Sequence, residues 1–178
     1  MFKNKITLTA LCVFAILNVS FLNPDYLEWS HERSLKFEDF KANIPKTAST
    51  NSAVNLSTVL SYQTKQTKGE VPHITVLNLI DRNTSWIKVK KTEILELQQI
   101  KFDYAELYAR KMRKEMKTMN KNGVKEKQKY IDVISKISKQ LDKRQRLNNV
   151  LLEDQPHLIK IMKKDISDSL NLYKEYKK

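Results

Sequence analysis

Residues 92–120 carry apolar side chains at the spacing that lines them up along one side of an α-helix. The members of this stripe are Ile94, Leu97, Ala105, Tyr108, Met112 and Met116. Thr92 is a suitable N-cap, and Asn122 with Gly123 supplies the tolerant backbone that ends many helices. We therefore predict one long helix from Thr92 to about Asn120, with its apolar stripe covered by other parts of the chain.

Further helices and a small sheet are predicted on either side of this helix. Residues 55–62 alternate apolar with hydroxyl side chains, and residues 74–80 are rich in branched side chains, so each is predicted to be a β-strand. Residues 125–148 have helical spacing, and a third helix is predicted after Pro156. The predicted fold class is α+β, with a small N-terminal antiparallel sheet followed by three long helices.

The chain is predicted to combine an N-terminal targeting segment with one folded domain. Lys3 and Lys5 precede a mostly apolar run that is about as long as a signal-peptide core and short for a membrane span. We predict a signal peptide in residues 1–22, or else an uncleaved anchor, and export to a bacterial periplasm or the cell exterior. The single domain is predicted over residues 23–178, its sheet in about 26–87 and its helices in about 88–178.

The positive charge is concentrated in the helical half. Residues 23–87 carry 7 Lys or Arg and 7 Asp or Glu, whereas residues 88–178 carry 24 and 13. Such a surplus attracts anionic partners. No recognised nucleic-acid module is present, so we expect no nucleic-acid partner. Docking on an anionic surface is one alternative function.

The middle of the long helix matches a known motif. From Phe102 onward the letters FDYAELYARKMR resemble the helix of a bacterial family of secreted zinc-protease-like proteins of unknown function, roughly HEQxHFDxAExYARKxR. The matching residues are Phe102, Asp103, Glu106, Tyr108, Arg110 and Arg113. The resemblance implies a zincin-like core helix, on which two histidines bind zinc and a glutamate activates the metal-bound water.

The three reactive positions of that motif are replaced in this chain. Leu97 and Lys101 stand where the family has its two histidines, and Gln98 stands where it has the glutamate. Leu97 has no donor atom for a metal, Gln98 is a neutral amide that cannot act as a general base near pH 7, and an ammonium repels a dication. We therefore expect no zinc, no other cofactor and no catalytic residue at this position.

Other histidines are few and scattered. His31, His73 and His157 are the only ones in the chain, and none of them has a second histidine at helical spacing. The leading hypothesis is a noncatalytic, exported relative of the protease-like family, with a binding or structural role in the cell envelope. An active hydrolase with a rebuilt site and the anionic-surface protein remain alternatives. The expected partner is an envelope protein or an anionic surface, and membrane contact is expected only through an uncleaved N-terminal segment.

Overall fold

A computed structural model describes residues 25–49, 52–151 and 157–178. The predicted signal peptide or anchor, residues 1–22, lies outside these described residues. Within the described ranges, no helix combines the length and the apolar character needed to cross a membrane.

The described residues form an α+β fold, as predicted. In chain order the elements are β1 (Tyr26–Glu28), a short 3-10 helix (Phe37–Asp39), β2 (Val54–Asn55), β3 (Thr58–Lys65), β4 (His73–Asp81), β5 (Trp86–Ile87), α1 (Thr92–Lys121), α2 (Lys127–Leu151), α3 (His157–Leu172) and a second 3-10 helix (Lys174–Tyr176). The small antiparallel sheet thus precedes three helices, which confirms the predicted order.

The main sheet has three antiparallel strands in the order β1-β4-β3. Leu27 of β1 pairs with Ile80, and Tyr62 of β3 pairs with Val76. The prediction of one strand over residues 55–62 was wrong in one respect. Two strands replace it: the two-residue β2, Val54–Asn55, pairs with β5 in a separate ribbon, and the eight-residue β3 begins only at Thr58.

Helix α1 begins and ends close to the predicted positions. Its N-cap is Lys91 rather than Thr92, and no side chain caps it. At the other end Asn122 is the C-cap, and Gly123 has φ +66°, a left-handed conformation that glycine adopts at little cost. The predicted role of these two residues in ending the helix is therefore confirmed.

Helix α1 is the central element, because three clusters of buried side chains surround it. One cluster joins it to β4 and α2, and a second joins it to α2 and α3. The third joins it to the loop after β1 and to β5. Residues from several sides of α1 are consequently buried, and the helix is covered far beyond the single predicted stripe. Those outside the stripe include Ile100, Phe102, Tyr104, Leu107 and Ala109.

Candidate functional site

The three replaced positions belong to the packed part of α1. Leu97 is partly buried against the second core cluster, which contains Ile100 and Ile159. Gln98 is only 2% exposed, and its Oε1 has no hydrogen-bond partner among the described residues. Lys101 is partly buried and has an interaction partner within the protein. Leu97 therefore contributes to the packing among α1, α2 and α3.

These side chains do not fit a zinc ion. Zinc sites in proteins use thiolate, imidazole and carboxylate ligands. The only uncharged oxygen donor among the three positions is the Gln98 amide, and Lys101 brings a positive charge of its own. Within the described part of the chain, no group of three or more His, Cys, Asp and Glu side chains could hold a metal ion. His31 and His73 are both exposed, in the loop after β1 and at the start of β4.

The acid and the two arginines of the motif form a buried ionic cluster. Glu106, 2% exposed, accepts a hydrogen bond from Arg110 Nε at 3.0 Å and one from Arg113 Nη1 at 2.8 Å on the same oxygen. Arg110 also donates to the carbonyl of Leu170 at 2.7 Å. Arg113 donates to the carbonyls of Val76 and Tyr176 at 3.1 Å each. These hydrogen bonds connect α1 to β4 of the sheet and to the C-terminal segment, meaning the end of α3 and the 3-10 helix that follows it.

A second network joins α1 to the loop after β1. Asp103 Oδ1 accepts hydrogen bonds from the Trp29 indole and from Gln99 Nε2, both at 2.8 Å. Gln99 accepts in turn from the backbone N–H of Leu35. The Arg110 guanidinium lies 5.2 Å from the Trp29 ring centroid, a cation–π contact. Burial raises the pKa of Asp103, although the two hydrogen bonds act in the opposite direction.

An open groove of about 510 Å³ lies beside Trp29. Its walls are the loop after β1, one face of α1, and α3 with the turn that follows it. The lining side chains include Trp29, Arg33, Gln99, Asp103, Arg110, Lys163, Ile166, Asp168, Leu170, Asn171, Lys174 and Lys177. A smaller hollow of about 280 Å³ continues past Trp29 towards Glu28 and Lys178. We call the larger depression the tryptophan groove.

The tryptophan groove uses a different face of α1 from the replaced positions. At about 100° per residue, Asp103 and Arg110 are turned by about 120–140° around the helix axis from Leu97. Leu97 itself faces the second core cluster. The tryptophan groove is therefore separate from the positions that correspond to the metal ligands of the motif.

A second depression, of about 320 Å³, lies between α1 and α2 and is lined by Lys111, Lys114 and Lys136 together with Glu115. We call it the lysine groove. Lys111 Nζ lies 4.4 Å from the Tyr108 ring centroid, and Lys114 Nζ lies 5.5 Å from that of Tyr173. Burial lowers the pKa of Lys111, and the nearby positive charge of Arg144 lowers it further. The groove thus concentrates positive charge that is partly removed from water.

The remaining residues of the motif also have structural roles. Phe102 is 2% exposed in the third core cluster, and its carbonyl accepts from Asn78 Nδ2 at 3.1 Å. Tyr108 lies between the first two clusters. The sequence analysis did not identify the tryptophan groove, because its walls come from segments more than 50 positions apart. The spacing of charged residues along α1 does not by itself indicate this groove.

Comparisons with models of known families, with curated proteins and with solved structures found no match to this chain. The resemblance to the zinc-protease-like family therefore stays a hypothesis that depends on the motif in α1.

We predict that Glu106→Gln strongly destabilises the domain. The substitution leaves two poorly exposed guanidinium groups without their shared carboxylate, which costs about 3–5 kcal/mol for a buried pair. Urea unfolding followed by circular dichroism measures the change. Glu126→Gln is the matched control, because Glu126 forms an exposed ion pair with Lys129 and its loss should cost less than about 1 kcal/mol. Equal losses in the two variants would refute a structural role for the cluster.

We also predict a pH-dependent effect of Asp103→Asn. The pKa of Asp103 is raised in the folded state above its ordinary 3.8, so the native protein binds more protons than the unfolded chain between the two values. This contribution to stability is present at low pH and is lost as the pH rises through that window. The variant has no titrating carboxyl group at position 103, so it does not lose this stability as the pH rises. Its amide oxygen can still accept the hydrogen bond from the Trp29 indole. Its stability relative to wild type should increase as the pH rises from below 3.8 into the neutral range, whereas the exposed control Asp132→Asn should show a smaller trend. A difference that does not vary with pH would contradict the assignment.

Proposed function

We propose that this chain is a noncatalytic relative of the secreted zinc-protease-like family, exported to the cell envelope, where it has a binding role. The observation that carries the proposal is the state of the three replaced positions. Leu97 packs in a hydrophobic cluster, Gln98 is buried, and Lys101 contributes a cation. These three side chains do not form a set of zinc ligands, and none of them can activate a metal-bound water.

The structural roles of the matching residues support the same proposal. Glu106, Arg110 and Arg113 connect α1 to β4 and to the C-terminal segment, and Asp103 holds Trp29. A domain that has lost its reactive groups still needs these residues in order to fold. Retention of the motif alongside replacement of its reactive positions is therefore what a noncatalytic relative would show.

The noncatalytic role is tested by measuring bound metal. We expect wild-type protein that has been incubated with Zn²⁺ and dialysed to retain no stoichiometric zinc by elemental mass spectrometry. The variant with Leu97→His, Gln98→Glu and Lys101→His supplies the family's own ligands at the family's spacing, and we expect it to retain more zinc than wild type. Stoichiometric zinc in the wild type would overturn the proposal.

A peptidase assay separates the proposal from the rebuilt-hydrolase alternative. We expect no cleavage of casein by the wild type. Cleavage that is lost in Lys101→Ala would favour the hydrolase, because Lys101 is the basic group at the replaced site.

A second candidate function, docking on anionic surfaces, is favoured by the lysine groove. Within the described residues, Lys111, Lys114 and Lys136 form no ion pair of the kind that neutralises Arg110 or Arg113. An anion placed among them would offset the repulsion between Lys111 and Arg144. Exposed Glu115 at the same groove reduces this attraction but does not cancel three cations.

We predict that heparin or vesicles with anionic lipid bind the wild type in a salt-dependent manner. Binding should weaken as ionic strength rises from about 0.01 M to about 0.15 M, because the Debye length falls from about 30 Å to about 8 Å. Changing Lys111, Lys114 and Lys136 together to Gln should weaken it further. The control changes Lys41, Lys46 and Lys68, three exposed lysines of the sheet half, to Gln and removes the same charge. If both triple variants lose affinity equally, the lysine groove is not the docking site.

A further inference from the structure

We infer that the chain forms a two-fold symmetric dimer in which the outer edge of β3 pairs antiparallel with β3 of a second copy. The strand order β1-β4-β3 leaves β3 with a hydrogen-bonded neighbour on one side only. Pairing of the two edges would join two three-stranded sheets into one sheet of six strands, which is a common size. This interface is separate from the replaced positions of α1 and goes beyond the proposed function.

The register of the sheet determines which backbone groups of β3 point away from β4. The backbone N–H of Asp81 donates to the carbonyl of Ser57 at 2.9 Å, so these two opposite residues form a hydrogen-bonded pair. In an antiparallel ladder such pairs alternate with non-hydrogen-bonded pairs, whose N–H and C=O groups point to the other side. The bond from the Trp29 N–H to the carbonyl of Asn78, on the far side of β4, follows the same alternation. The outward groups of β3 therefore belong to Thr58, Leu60, Tyr62 and Thr64.

The outer edge of β3 is open and lacks the usual protection against strand pairing. Among the described residues, no hydrogen bond engages the outward N–H or C=O groups of Leu60, Tyr62 and Thr64. Gln145 of α2 reaches the beginning of the strand, where it donates to the side-chain hydroxyl of Thr58. Natural edge strands are usually short, bulged, or interrupted by Pro or charged residues. In contrast, β3 pairs residue for residue with β4 over eight positions, and its one charged residue is its last.

The side chains of β3 suit pairing with a second copy of the same strand. If the two-fold axis passes beside Ser61, Thr58 lies opposite Thr64 of the second copy. Leu60 then lies opposite Tyr62 of the second copy. Hydroxyl therefore meets hydroxyl and an apolar side chain meets an aromatic one, and cross-strand pairs of these kinds stabilise sheets. Tyr62 is 39% exposed in the single chain, and this contact would cover it.

Electrostatics favour this edge as the place where two copies meet. The whole chain has a formal charge of +13, and a large net charge opposes association. Most of the surplus belongs to the helical half, whereas residues 23–87 carry 7 basic and 7 acidic residues. Residues 58–64 contain no charge, and Lys65 would lie opposite Ser57 of the second copy rather than opposite another lysine. An interface that uses the same patch on both copies closes at two chains.

Analytical ultracentrifugation of the full chain measures the oligomeric state, and we expect a dimer in equilibrium with monomer. Ser61 points away from the helices, because its neighbour Leu60 packs against the core clusters. Ser61→Lys would bring two ammonium groups together at the two-fold axis and should weaken dimerisation about tenfold. Gln63→Lys is the matched control, since it adds the same charge to the same surface. Its two ammonium groups would be about 14 Å apart, beyond the Debye length of about 8 Å, so dimerisation should stay within about twofold of wild type.

A disulfide tests the register of the inferred pairing. The chain has one cysteine, Cys12, which is changed to Ser in both variants. In Ser61→Cys the thiols of the two copies belong to a non-hydrogen-bonded pair with Cα atoms about 4.5 Å apart, within disulfide range. Mild oxidation should therefore give a covalent dimer on a non-reducing gel. The control Gln63→Cys places its two thiols about 14 Å apart and should give no covalent dimer.

Three results would overturn the inference. They are a chain that stays monomeric at the highest concentration measured, equal dimerisation of the two lysine variants, and equal cross-linking of the two cysteine variants. A monomer whose β3 amides become protected from hydrogen exchange only when another polypeptide is added would assign the edge to a different partner. Positions 61 and 63 both lie on the surface away from the helices, so all four variants are expected to fold, which circular dichroism checks. Bound zinc, which decides the proposed function, has no bearing on these outcomes.

Discussion

The carboxylate of Glu106 is the group on which the arrangement of the helices depends. One of its oxygens is shared by Arg110 and Arg113, and both guanidinium groups also donate to carbonyls outside α1. Buried ions are costly unless every partner is in place. The sheet, α1 and the C-terminal segment therefore have to close around this cluster together. Once closed, they fix Arg110 against Trp29 and so define the tryptophan groove.

Under the proposed function, this dependence gives a physical reason why the motif from Phe102 onward would be kept when its reactive positions are replaced. The residues that match the family from Phe102 onward are bound into core packing and ionic contacts, and their loss would cost stability. The replaced positions are under a different constraint. Under the proposed function, Leu97 aligns with a ligand histidine of the family; here it packs against the second core cluster, and burial of its apolar surface contributes to stability. Under the proposed function, recognition would use the other face of the helix.

Much of the fold could be predicted from the sequence, because periodicity reports local structure well. The apolar stripe located α1 to within a few residues, and branched residues located β4. The stripe underestimated burial, however, since Phe102, Tyr104 and Leu107 are covered by partners on other sides of the helix. Glu106 and Arg110, four positions apart, look like an ordinary exposed pair in the sequence. In the structure Arg110 also donates to the carbonyl of Leu170, and Arg113, which shares Glu106, donates to that of Tyr176. These partners lie about 60 positions away in the sequence, so no local pattern predicts them.

The proposed function depends most directly on the part of α1 around Leu97, Gln98 and Lys101 binding no metal. Anomalous scattering at the zinc edge, from crystals grown with Zn²⁺, tests it most directly. The account predicts no zinc peak within coordination distance of residues 97–101, and it predicts that the Leu97 side chain contacts the second core cluster. A fully occupied zinc peak coordinated by side chains at this part of the helix would contradict it.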